Sequence, residues 1–250
     1  MELGELLALR TGKVESWRYH HWTEDLGDLP VTSGRLEACD PFMTLGQGAE
    51  FSIPPGTYPA KVTLVDVSDE QDGSHVRESY LSLVLATGEP SRVEYLVPIG
   101  REPLDGNKEY YGIPVGAGTV AFAEAGAATR AMPVSLDWLG ETFDTGRADS
   151  WFELMDSPDH YRAGAANILM PRATLGERVV LCHSGWGDGV YPVVGAFDKD
   201  GRLLSVHIDL LVEEREGESA SDAAPGATTP DAPTAPQQSW WRRLRPKTAD

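Results

Sequence analysis

Within the first 216 residues, period-two alternation of apolar and polar residues and turn signals of glycine, proline and aspartate outnumber helical spacing. This pattern predicts a β protein. The clearest case is 203–212. Leu204, Val206, Ile208, Leu210 and Val212 share one face and Ser205, His207 and Asp209 the other, so one face is expected to be core and the other wet or functional. Further strands are expected at 31–39, 56–67, 76–86, 92–97, 110–115 and 120–122. Ile53-Pro54-Pro55-Gly56 excludes a helix before the second of these. Helical spacing is confined to the Ala-rich 124–132 and to 148–155, where Trp151, Leu154 and Met155 recur on one side.

The C-terminal part of the pattern reads as a unit. Segments 178–183, 190–197 and 203–212 are joined by Ser184-Gly185-Trp186-Gly187-Asp188-Gly189 and by Asp198-Lys199-Asp200-Gly201. Connections this short predict an antiparallel meander. The fold expected is mainly β, an antiparallel β-sandwich or partly closed barrel of about eight to ten strands with one or two short helices and a disordered C-terminal tail.

Composition divides the chain after Glu216. Residues 1–216 read as a single globular domain. From 217 to 238 the chain is almost all Ala, Pro, Thr, Ser, Gly, Asp and Gln, which cannot bury enough surface to offset ordering entropy and predicts a disordered linker. The tail at 239–250 carries Trp240, Trp241, Arg242 and Arg243, an aromatic-basic patch that could dock weakly on a partner or an acidic membrane surface.

Charge narrows the partners. The chain has 39 acids and 21 bases, a formal net charge of -18. The acids and bases beyond Glu216 cancel, so the body carries the whole excess. Such a body repels nucleic acid and anionic membrane and favours basic proteins or cations. The first residues carry acids where a secretory leader needs bases, and no apolar run reaches the ~18 residues of a membrane span. A cytoplasmic protein that is not integral to a membrane is expected. Two cysteines, Cys39 and Cys182, are too few for a disulfide framework and read as buried thiols.

No catalytic signature, nucleotide loop or zinc spacing is present, and no cofactor is expected. Gly116-Ala117-Gly118 only echoes a phosphate loop, and Asp198-Lys199-Asp200-Gly201 opens like a calcium loop without its later ligands. Two function classes stay open. One is a non-catalytic protein-binding module, immunity-like or regulatory, with Trp186, Asp188, Tyr191 and Asp40 on an acidic rim. The other is a hydrolytic or metal-assisted enzyme in which His183, Asp188, His207 and Asp209 converge on one sheet face.

Several patterns occur in order: Ser33-Gly34-Arg35-Leu36-Glu37-Ala38-Cys39-Asp40-Pro41, Ile53-Pro54-Pro55-Gly56-Thr57-Tyr58-Pro59, Gly116-Ala117-Gly118-Thr119, and Ser184 to Tyr191 followed by Gly195, Asp198 and Gly201. Over roughly residues 28–212 the chain thereby resembles the bacterial family known as domain of unknown function 4241. That resemblance implies no catalytic residue.

Overall fold

A computed structural model of the chain describes residues 3–104, 110–135 and 137–216. The expected linker 217–238 and the tail with Trp240, Trp241, Arg242 and Arg243 lie outside the described residues. Strands numbered in chain order form two antiparallel sheets. The larger runs β1 (Gly12–Lys13), β2 (His20–Val31), β5 (Gly56–Asp66), β6 (Val76–Val84), β13 (Leu203–Asp209), β12 (Gly189–Phe197) and β7 (Arg92–Tyr95). β8 (Gly112–Val115) joins it on the first residues of β12. The smaller sheet runs β10 (Ala165–Leu169), β11 (Arg178–His183), β9 (Thr119–Glu124), β3 (Arg35–Cys39) and β4 (Ala49–Ser52).

The two sheets face each other across one core. Leu29, Val62, Leu64, Leu81, Val206 and Ile208 of the larger pack against Leu36, Phe51, Phe122, Val180 and Cys182 of the smaller. Alternation then sends the intervening residues of each sheet to its outer face, where a second cover is needed. On the smaller sheet that cover is helical. Trp151, Phe152 and Met155 of α2 (Trp151–Asp156) and the alanines of α1 (Ala127–Ala131) pack on Ala121, Ala123, Val179 and Leu181, together with Phe143 from a π-helical turn, Leu139–Phe143. Both cysteines are buried free thiols.

On the larger sheet the cover is the N-terminal segment. Leu6, Leu7, Ala8 and Trp17 pack with Tyr80, Val194 and Ala196 on its outer face, and the Leu9 N–H donates to Thr63 Oγ1 at 2.9 Å. The segment is fastened by ion pairs of Lys13 with Glu216, Arg18 with Glu214, and Arg215 with Glu5. This corrects the expectation of a wet face on the last strand: Ser205, His207 and Asp209 do share a face, but the strap keeps it dry. The predicted meander is also corrected. β12 and β13 form its hairpin, whereas β11 pairs with β9 and β10 in the other sheet. The glycine-rich connection is thus an arch between sheets, because strands packed face to face can be joined by a link as short as a hairpin's.

Candidate functional site

The arch at 184–188 is built to hold one side chain outward. Gly185 has φ +64°, and a Cβ there would sit 2.4 Å from Val212 Cγ2 and 3.0 Å from the Glu78 carbonyl oxygen, so only glycine allows the chain to cross this close to the larger sheet. Gly187 follows at φ +109°. Its carbonyl accepts the hydroxyls of Ser184 and Tyr191, each at 2.6 Å. The Ser184 N–H donates to the Gly118 carbonyl at 3.0 Å, and the Gly118 N–H donates to Asp188 Oδ1 at 3.1 Å. These bonds lock both ends of the arch to the 116–118 loop. Trp186 projects from the middle, 43% exposed, with the Arg77 guanidinium 5.3 Å from its ring centroid and the His75 ring edge-on at 6.2 Å.

The other residues expected on this rim have supporting roles. Tyr191 is buried in the inter-sheet core, where desolvation pushes its hydroxyl up to about 12, so it donates to Gly187 and does not face a ligand. Asp40 is fully buried. Its Oδ2 accepts the N–H groups of Gly116 (3.0 Å) and Ala117 (2.8 Å) and its Oδ1 that of Phe42 (3.0 Å), so it belongs to no exposed acidic rim. The successive amides of Gly116, Ala117 and Gly118 form the kind of donor nest that binds anions, and here two of the protein's own carboxylates, Asp40 and Asp188, fill it. This explains why that glycine pair looked like a phosphate loop.

The four residues of the enzyme hypothesis do not converge. His183 ends β11 in the smaller sheet, Asp188 sits on the arch, and His207 and Asp209 lie under the strap of the larger sheet. His207, 1% exposed, has Nε2 against Ser205 Oγ and Nδ1 against Ser82 Oγ, both at 2.8 Å. Desolvation pushes it down to about 3, so the imidazole is neutral at physiological pH. Asp209 is pushed up to about 7, chiefly by desolvation and further by Glu213, while the Leu211 N–H at 2.9 Å works in the opposite direction. Among the described residues no group of three or more His, Cys, Asp or Glu is arranged to hold a metal ion.

One polar cluster escaped the sequence reading. Gly164, at φ +93°, lies where a Cβ would come within 2.8 Å of Glu78 Oε1, 3.0 Å of His183 Nδ1 and 3.3 Å of an Arg162 nitrogen. Arg162 pairs with the buried Glu78 and, at 3.4 Å, with Glu24. The available signal was Glu78 itself, a carboxylate leading into the apolar run Tyr80 to Leu85. A charge at such a position needs a partner, and Arg162 is too distant in sequence for periodicity to find it.

The class defined so far is a two-sheet antiparallel β protein with a strapped outer face and a rigid aromatic arch between its sheets. Residues 29–208 match the family model described as "Protein of unknown function (DUF4241)", and the chain belongs to that family. The strap precedes the matched stretch. No curated protein and no solved structure gives a match. Among the described residues no helix is long and apolar enough to cross a membrane.

Proposed function

We propose that the protein is a non-catalytic binding module, immunity-like or regulatory, that acts in the cytoplasm and engages a basic protein through Trp186. One observation carries this reading: a large aromatic side chain stands nearly half exposed on an arch whose backbone is fixed by glycine geometry and four hydrogen bonds. An aromatic anchor already held in place loses little entropy on binding, which is what distinguishes residues that dominate interfaces. The body's charge of -18 supplies the long-range preference for a basic partner. Acidic residues support it, most densely on the helical cover at 137–159, where exposed Asp137, Glu141, Asp149 and Asp159 and half-buried Asp144, Glu153 and Asp156 stand against one base, Arg147.

The experiment is affinity capture from host lysate with wild type and Trp186→Ala, followed by titration of each purified partner. A basic protein whose dissociation constant rises at least about tenfold in Trp186→Ala, and rises with salt, is expected. Thermal stability should be unchanged within ~0.5 kcal/mol, as for other surface substitutions. Equal affinities for wild type and variant would refute the assignment.

A further inference from the structure

A cleft of about 480 Å³ opens at the seam of the two sheets, lined by Arg35, Glu50, Pro98, Ile99, Arg101 and Tyr111 among others. It uses none of the residues of the arch. Its size is that of a small-molecule site, and such sites favour places where layers part. Three features fix its walls. The Ile99 N–H donates to the Glu50 carbonyl at 2.7 Å, tying the 98–101 loop to the edge strand β4. The Tyr111 hydroxyl donates to the Glu102 carbonyl at 2.8 Å, which sets the ring. Arg101 then lies with its guanidinium 6.0 Å from the centroid of that ring.

The charges in the cleft differ from those of the rest of the chain. Arg35 is paired with Glu50. Among the described residues no carboxylate pairs with Arg101. The lining therefore carries two guanidinium groups, Arg35 and Arg101, against one carboxylate, Glu50, in a chain of net charge -18. Arg101, set beside the Tyr111 ring, has the donors for a planar anion. A monoanion matches the surplus charge, whereas a doubly charged phosphate would set its second charge against Glu50.

We propose that this cleft binds a small organic carboxylate. Its head group is held by the fork of Arg101, and its apolar body rests on Pro98, Ile99 and the Tyr111 ring. Glu50 competes with the ligand for positive charge and so limits affinity.

The test is titration of the full chain with benzoate and with its neutral isostere benzamide, followed by amide chemical shifts. A fragment of this size should saturate at about millimolar concentration. The expected result is saturable benzoate shifts confined to the cleft, absent with benzamide. Arg101→Gln should weaken benzoate by about tenfold or more. Glu50→Gln should strengthen it by about twofold to fivefold, because a competing surface charge is removed. A purely structural arginine would not give these opposite responses. Benzamide binding as well as benzoate, no saturable benzoate shift, or indifference to Arg101→Gln would each overturn the proposal.

Discussion

Replacing Asp209 by Asn tests whether the N-terminal strap really dries the outer face of the larger sheet. Asp209 is 5% exposed, and its carboxyl is pushed up to about 7 by desolvation first and by Glu213 second. It is close enough to Tyr80, Tyr95 and Tyr110 to raise all three hydroxyls in turn. In an unfolded chain the same carboxyl titrates near ~3.9. The folded state therefore holds the proton more tightly than the unfolded state. This group's contribution to stability is complete below about pH 4 and is lost as pH rises through about 7, the reverse of an ion-paired carboxylate. A gap of about three pH units at 1.36 kcal/mol each amounts to ~4 kcal/mol, and water entering the ionised site would reduce this to about half. Asparagine keeps the oxygen that accepts the Leu211 N–H and removes the ionisation.

Urea unfolding of wild type and Asp209→Asn across pH 4 to 8 is the assay. The other titrating groups are common to both proteins and cancel in the difference. The variant should match wild type near pH 4 and exceed it by ~2–4 kcal/mol near pH 8, with most of the gain appearing between about pH 4 and 7. A difference that does not change with pH would mean that the strap leaves Asp209 solvated, and the description of that face would be wrong.

His207→Ala should cost ~2–4 kcal/mol by urea unfolding, since it opens a cavity and strands the hydroxyls of Ser82 and Ser205; a change within ~0.5 kcal/mol would mean a solvated histidine. Gly164→Ala should lower the thermal midpoint by the equivalent of at least ~1 kcal/mol, because a Cβ would meet Glu78 Oε1 at 2.8 Å on a backbone at φ +93°. An unchanged midpoint would show that the Glu78–Arg162–His183 cluster can move apart freely.

Much of the fold is legible in the sequence, and the parts that are not have identifiable causes. Strands β5, β6 and β12 follow the expected segments closely because each keeps a turn signal at its ends. β2 is hidden because a bulge between Asp25 and Asp28, centred on Gly27 at φ +72°, breaks the period-two pattern. The Asn167 side chain, 141 residues away from Leu26, donates to the carbonyls of Leu26 and Asp28 in that bulge. β10 is hidden because Ala165 to Ile168 are buried on both faces, which leaves no alternation to read. At the site, the glycine-rich turn and its exposed Trp186 are legible, since glycine chemistry is local. Whether that turn folds back in one sheet or arches to another depends on which strand β11 pairs with, and this is a long-range fact.

The same distinction changes what the chain's acidity means. Many of its carboxylates do not face a partner at all. Glu37 accepts the amides of Gly46 and Gly48, Asp66 those of Ser68 and Gly73, and Glu177 those of Thr174 and Leu175. Asp40 and Asp188 do the same for Gly116, Ala117 and Gly118. Loops that join strands leave amides with no ladder to enter, and a carboxylate aimed at them removes that cost without lengthening the loop. Asp and Glu are thus selected at these positions by the backbone, and net charge counts them as though they were surface. The charge available to a partner is what remains, densest at 137–159 on the helical cover. Neutralising acids there, such as Glu141 and Asp149, should weaken capture of a basic partner while leaving the loops intact. Neutralising Asp40 or Glu37 should unfold the loops first.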